Sequence, residues 1–149
     1  MSSLKEQIEE KVKQALKGRE EIPLSILRML RSAIKYKEIE LKKALDDVGV
    51  IAVVDKMVKQ AKESIEQFQK GNRADLTEKT QKELFILEQF LPKRLDLKEL
   101  ELRIREIIKK VGATSPKEMG QVMKSVTENL AGRIDMKEAS RIVREILSK

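Results

Sequence analysis

Apolar side chains recur at every third or fourth position along almost the whole chain, the spacing of one face of an α-helix. The spacing predicts a first helix that stops near Gly18, a second over residues 23–45, and a third that carries apolar residues from Ile51 to Phe68. A fourth continues until Pro92, which cannot extend a helix. Valines in residues 48–54 would also suit a short strand, but the downstream spacing favours helix. The apolar positions are Leu4, Ile8, Val12 and Leu16; Leu27, Leu30, Ile34, Leu41 and Leu45; Ile51, Val54, Val58, Ala61, Ile65 and Phe68; and Leu84, Leu87 and Leu91.

Beyond Pro92 the same pattern predicts three compact helices, at residues 97–111, 116–130 and 136–147. Gly112 and Gly132 are expected to close the first two. We therefore expect an all-α protein with an N-terminal helical bundle over residues 1–92 and a small C-terminal three-helix module over residues 93–149. The apolar positions of the module are Leu97, Leu100, Ile104, Ile107 and Val111; Met119, Val122, Val126 and Leu130; and Ala139, Ile142, Val143 and Ile146.

Five predicted helix starts carry a capping pattern, in which Ser or Asp is followed three residues later by Glu. The first side chain accepts hydrogen bonds from the free N–H groups of the first turn. Pro116 stands at a first helical position, where its missing N–H costs nothing. The pairs are Ser3/Glu6, Asp75/Glu78, Asp96/Glu99, Ser115/Glu118 and Asp135/Glu138.

Two predicted helix-to-helix corners share the order Gly, Arg, Asp. The Gly is expected to take the left-handed conformation just past one helix, and the Asp to cap the next. The corners comprise Gly71, Arg73 and Asp75, and Gly132, Arg133 and Asp135.

Composition excludes several classes of protein. Aromatic residues make up only 3% of the 149 residues, so the core must be aliphatic. The chain has no Cys and no His, which argues against disulfides, thiol catalysis and the commonest metal ligands, and we expect neither metal nor cofactor. No apolar run approaches the roughly 20 residues of a membrane span, and no signal peptide pattern opens the chain. We expect a soluble cytoplasmic protein with no membrane partner.

The formal net charge of +7 is concentrated in the second part of the chain. Residues 1–92 hold 18 Lys/Arg and 16 Asp/Glu, whereas residues 93–149 hold 14 and 9. Such a segment suits a polyanionic partner, because neutralising phosphates releases counterions. The alternative is a modestly basic surface with no specific partner.

Five cations of the C-terminal module are candidate nucleic-acid-binding residues. Lys117 and Lys124 lie opposite the apolar positions of their predicted helix, and Lys137 and Arg141 lie opposite those of the last helix. Arg133 stands between the two helices, beside an N-terminus whose free N–H groups favour a phosphate. The alternative is a solvated outer face, with Arg133 tied to a helix end.

Catalytic residues are not recognisable in the sequence. Ser64, Ser125 and Ser140 have no His to activate them. Acidic doublets such as Asp46/Asp47 are adjacent on a helix and do not share a face. We assign no catalytic residue, and the sequence favours a protein without enzymatic activity of its own.

Four separated blocks of this sequence resemble the YqeY-like protein family: ILRMLRSAIKYKEIE, KESIEQFQKGNRADL, ELFILEQFLPKRL and KEMGQVMKSVTENLAGRID. The C-terminal module is similar to the tail domain of the B subunit of tRNA-dependent aspartyl/glutamyl amidotransferase. Thr80 departs from the family pattern, which leads us to expect an acidic residue in a surface turn there. In the amidotransferase the tail domain contacts tRNA, while glutamine hydrolysis and ATP-dependent activation belong to other domains.

The resemblance implies an accessory protein that binds tRNA or another structured RNA, with a possible protein partner in tRNA metabolism and no catalytic site of its own. Two alternatives remain open. One is an amidotransferase-type carbon–nitrogen ligase with glutamine as the amido donor. The other is a helical protein–protein adaptor.

Overall fold

The computed structural model describes residues 3–130 and 133–149. Within these residues the chain forms seven α-helices and one short 3-10 helix, with no strand, so the predicted all-α class is confirmed. The chain divides into two compact units, Met1–Leu91 and Pro92–Lys149. No helix in the described ranges is long and apolar enough to cross a membrane.

The N-terminal unit consists of four helices. They are α1 (Leu4–Lys17), α2 (Glu21–Leu41), α3 (Asp47–Lys70) and α4 (Ala74–Glu88). Helix α2 contacts the other three, and α3 packs along α4. The helix prediction for the valine-rich segment is confirmed, since it lies in α3 and turns one valine per turn into the core. The buried side chains are Ile8, Val12, Ala15, Ile26, Leu27, Leu30, Ile34, Val50, Val54, Val58, Leu87 and Phe90.

Six apolar positions predicted for this unit do not join its core. Four of them, Ile51, Ala61, Ile65 and Phe68 of α3, are half-buried. The other two lie near helix ends and are exposed. Leu16 is 55% exposed and Leu41 is 44% exposed. In α1 the next buried residue after Val12 is Ala15, three residues later, and not Leu16. A helix with 3.6 residues per turn cannot keep residues spaced four apart on one side. Leu41 is the last residue of its helix.

Helix α2 ends at Leu41 and not at Leu45 as predicted, because a contact between helices fixes the following turn. Lys42 takes a left-handed conformation with φ of 57°. The Glu38 carboxylate then accepts a hydrogen bond from the Leu45 N–H at 2.7 Å and pairs with Lys5 of α1. Asp46, which the capping pattern missed, accepts from the Gly49 N–H at 2.9 Å and begins α3.

The corner between α3 and α4 differs from the prediction in two ways. Gly71 has an ordinary φ of −86°, and Asn72 takes the left-handed conformation at 56°. Asn tolerates this region better than most side chains do. Helix α4 follows Arg73, so Asp75 sits inside the first turn, where it pairs with Arg73 at 3.1 Å instead of capping. Gly132, of the second predicted corner, lies outside the described residues.

Thr80 was expected in a surface turn and instead lies in the middle of α4, half-buried. The departure from the family pattern therefore falls on a helix.

The C-terminal unit contains three α-helices, each in contact with the other two. They are α5 (Leu97–Val111), α6 (Met119–Leu130) and α7 (Met136–Leu147). The predictions for the first and last are confirmed. The middle one begins later than predicted, because Pro116–Glu118 forms a 3-10 turn ahead of it.

Caps explain where these helices begin and end. Asp96 accepts from the Glu99 N–H at 2.8 Å, and Asp135 accepts from the Lys137 N–H at 2.9 Å. Gly112 ends α5 in a left-handed conformation with φ of 79°. The predicted cap at Ser3 is also confirmed, with a 3.2 Å bond from the Glu6 N–H. Ser115 precedes the 3-10 turn without a side-chain cap bond, so that prediction was wrong.

The core of the C-terminal unit is entirely aliphatic. Leu97, predicted to belong to it, is 61% exposed at the first position of α5. The buried side chains are Leu100, Ile104, Ile107, Ile108, Ala113, Val122, Val126, Leu130, Ile134, Ala139, Ile142, Val143 and Leu147.

Ile104 should dominate the stability of the C-terminal unit, because its side chain is completely buried among the three helices. Ile104→Ala should cost about 2–5 kcal/mol of unfolding free energy, from lost burial and the cavity left behind. Leu102→Ala is the control, since Leu102 is on the same helix but 61% exposed. Denaturant unfolding of the full chain, followed by circular dichroism, measures both. Equal destabilisation by the two variants would contradict this account of the core.

Glu38 should make the N-terminal unit sensitive to acid. Its pKa is lowered, first by the hydrogen bond from Lys5 and then by that from the Leu45 N–H. A carboxyl with a lowered folded pKa stabilises the fold above its ordinary value of about 4.5, and that contribution is lost as pH falls through the lower value.

Glu38→Gln should therefore lower Tm at pH 7, and its difference from wild type should shrink as the pH falls below about 4.5. Thermal melts across this range measure the difference. Glu40→Gln is the control, because Glu40 forms only an exposed pair with Lys37 at 3.6 Å. A Tm difference for Glu38→Gln that stays constant with pH would show that the carboxylate charge does not matter.

Candidate nucleic-acid interface

The two units differ in the fraction of their cations that form ion pairs. Of the ion pairs formed by the described residues, seven lie in the N-terminal unit, and they use acids on α1 to α4. Among the described cations of the C-terminal unit, Arg105 and Arg141 are the two that are paired with acids. Two further carboxylates of this unit, Asp96 and Asp135, are occupied as helix caps. Its surface therefore carries positive charge that its own acids do not neutralise.

The cations of the C-terminal unit that form no ion pair with the described residues are Lys93, Arg94, Lys98, Arg103, Lys109, Lys110, Lys117, Lys124, Arg133, Lys137, Arg144 and Lys149. Four of the five predicted binding residues are in this set.

Three of the predicted residues are exposed lysines on different parts of the unit. Lys117 lies in the 3-10 turn ahead of α6, and Lys124 lies on α6 itself. Lys137 lies in the first turn of α7, where its backbone N–H is used by the Asp135 cap and its ammonium group is not paired. The ammonium groups of all three can bind a phosphate without first breaking an ion pair.

Arg141 is different, because its guanidinium group is held between two carboxylates of its own helix. The distances are 2.7 Å to Glu138 and 3.1 Å to Glu145. These contacts raise the pKa of Arg141, the hydrogen bond with Glu138 contributing most. A phosphate at this position would have to compete with both acids, which makes Arg141 the weakest of the five candidates.

Arg133 is half-buried and tied to the backbone. Its Nε donates to the Lys93 carbonyl at 3.1 Å, and the Leu95 N–H donates to the Arg133 carbonyl at 2.9 Å. These bonds join the segment that precedes α5 to the link that precedes α7. The two terminal nitrogens of the guanidinium group make no hydrogen bond to the described residues and stay available.

Arg133 also lines a groove of about 490 Å³ between α5 and α6. None of the other four predicted residues lines it, so the structure does not gather the predicted set at one place. Two cations that the sequence reasoning missed share the groove with Arg133, namely Arg103 and Lys110 of α5. Their spacing of seven residues puts them on one side of a helix, and this was the signal that could have found them. The remaining lining residues are Glu106, Ile107, Val111, Ser125, Asn129 and Leu130.

The family model described as "Yqey-like protein" matches residues 5–147, which is nearly the whole chain. The chain belongs to the YqeY-like family. The match spans both units.

Several yeast proteins are similar to this YqeY-like chain. An uncharacterised protein of Schizosaccharomyces pombe is 36% identical over 85 residues, which are 57% of this chain and 69% of that protein. Altered inheritance of mitochondria protein 41, mitochondrial, of Saccharomyces cerevisiae is 31% identical over 127 residues, 85% of this chain and 67% of the relative. The protein of the same name from Lachancea thermotolerans is 36% identical over 81 residues, 54% of this chain and only 43% of its own length.

Proposed function

We propose that this YqeY-like protein is an accessory RNA-binding protein whose C-terminal unit binds tRNA or another structured RNA. The observation that carries the proposal is the set of exposed cations in this unit that have no carboxylate partner in the part of the chain that the structure describes. An unpaired Lys or Arg can bind a phosphate without breaking an ion pair, and each such contact releases counterions from the RNA. Lys117, Lys124 and Lys137 meet this condition, and Arg133 meets it at its terminal nitrogens.

The class of RNA is inferred from the similarity of the C-terminal unit to the tail domain of the amidotransferase B subunit, which contacts tRNA. The proposal includes a protein partner in tRNA metabolism, since an accessory binder acts beside an enzyme. We also propose a cytoplasmic location. Some relatives carry mitochondrial names, and fluorescence microscopy of the tagged full-length protein would decide between the compartments.

The adaptor alternative has its own support in the N-terminal unit. Met29, Tyr36 and Ile39 are 57%, 74% and 70% exposed on α2, and their spacing puts them along one side of the helix. Exposed apolar residues that cluster in this way mark protein contacts more often than isolated ones do. This observation favours a protein-binding surface but says nothing against RNA binding by the other unit.

Binding of total tRNA by the full chain should fall steeply with salt, with a log–log slope of roughly −3 to −5. Removing two unpaired lysines in Lys117→Ala/Lys124→Ala should make the slope less steep by about 2. The control, Lys11→Ala/Lys62→Ala, removes two exposed, unpaired lysines of the N-terminal unit and should leave the slope nearly unchanged. Fluorescence anisotropy titrations at several salt concentrations measure both.

Two results would count against the proposal. Equal loss in the control variant would mean that the C-terminal unit is not the binding surface. If the wild type binds no tRNA even at low salt, RNA binding is wrong, and the adaptor function supported by α2 takes its place.

The isolated chain should not hydrolyse glutamine or transfer its amide to a misacylated tRNA. The chain has no Cys or His to act as nucleophile or base, and the tail domain that it resembles is not the catalytic part of the amidotransferase. Glutamate release by the purified protein, with and without tRNA, is the measurement. An activity that persists through purification and disappears on replacing one Ser or Lys of this chain would establish the ligase alternative instead.

A further inference from the structure

Three cations from two segments of the C-terminal unit line one groove, and their convergence indicates a defined site as well as a general attraction to RNA. Arg103 and Lys110 lie two turns apart on α5, and Arg133 reaches the groove from the link after α6. We propose that this groove binds one backbone phosphate of the RNA, held by Arg103, Lys110 and Arg133. The inference rests on the proposed function, whose binding surface it locates more closely.

The position of Arg133 suits this role because its side chain is fixed before any ligand arrives. The bond from Nε to the Lys93 carbonyl holds the guanidinium plane, and the two terminal nitrogens form no bond with the residues that the structure describes. A planar guanidinium group can bind phosphate with two parallel hydrogen bonds, and a fixed one loses less entropy on binding than a free surface lysine does.

The apolar residues that line the groove strengthen the attraction between these cations and a phosphate. Ile107 and Leu130 line it and are 9% and 3% exposed. Coulombic attraction is stronger beside such an apolar surface than in open water, since the effective dielectric constant is lower. The same three cations spread over a flat, hydrated face would attract a phosphate less.

Ser125 supplies a further hydrogen-bond donor on the α6 side. Its hydroxyl oxygen accepts from the Asn129 side-chain nitrogen at 3.2 Å, and that nitrogen also donates to the Ser125 carbonyl at 2.7 Å. The Ser125 hydroxyl hydrogen makes no bond to the described residues and is free to donate to a phosphate oxygen.

Glu106 is the one acid among the described residues that line the groove, and it allows a test in the opposite direction. It lies three residues after Arg103 and four before Lys110, the spacing of helix ion pairs, yet it pairs with neither within 4 Å. Its charge opposes a phosphate bound there. Neutralising it should therefore strengthen binding.

The test measures the affinity of the full chain for total tRNA at one fixed salt concentration. Lys110→Ala and Lys109→Ala form a matched pair, since both lysines are exposed and unpaired and only Lys110 lines the groove. Lys110→Ala should weaken binding about tenfold, and Lys109→Ala less than about twofold. Arg103→Ala should resemble Lys110→Ala, and Glu106→Gln should tighten binding a few-fold. Circular dichroism melts confirm that each variant is folded.

The outcomes separate this inference from the proposed function. If Lys110→Ala and Lys109→Ala bind tRNA equally well, or Glu106→Gln binds more weakly than wild type, the groove is not a phosphate site, although RNA binding stands. If the wild type binds no tRNA, both the function and the groove are overturned.

Discussion

The three helices of the C-terminal unit are held together by aliphatic side chains that each helix turns toward the other two. Ile104, Val126 and Val143, one from each helix, are buried almost completely, and no aromatic ring contributes to this core. Among the described residues this core contains no polar or charged side chain, so their charged groups lie outside it. The exposed lysines of this surface, such as Lys117, Lys124 and Lys137, are available for binding because their ammonium groups form no ion pair with the described residues.

The N-terminal unit shows the contrasting arrangement. Glu38 of α2 pairs with Lys5 of α1 and accepts the Leu45 N–H in the turn before α3. Part of the charge of this unit therefore stabilises the fold. Most other pairs there are exposed and contribute little stability individually, but they cancel the charges of both partners. The two parts of the sequence therefore differ in net charge and in pairing, since among the described residues seven of 18 cations are paired in the first part and two of 14 in the second. This difference directs the proposed RNA binding to the C-terminal unit.

Local signals in the sequence predicted those elements whose ends depend on local bonds. Asp96 and Gly112 define α5, and Asp135 begins α7, so the bounds of both helices followed from spacing and caps. The end of α2 could not be predicted in this way, because a side chain seven residues earlier accepts the Leu45 N–H. The groove was missed for a similar reason. The spacing of Arg103 and Lys110 is visible in the sequence, but their meeting with Arg133 depends on how α5 packs against α6.

Arg133 shows why the candidate binding surface cannot be predicted from the charge of its residues alone. Of the five predicted residues it is the only one, among the described contacts, whose side chain bonds to a distant part of the backbone, at Lys93. Replacing it removes a charge and also loosens the junction before α5, so a loss of affinity would have two causes. Lys110 lines the same groove without any such bond, and its neighbour Lys109 carries the same charge outside the groove. The pair Lys109 and Lys110 on α5 therefore separates the effect of position on RNA binding from the effect of charge. Arg133, which first suggested the site, does not separate them.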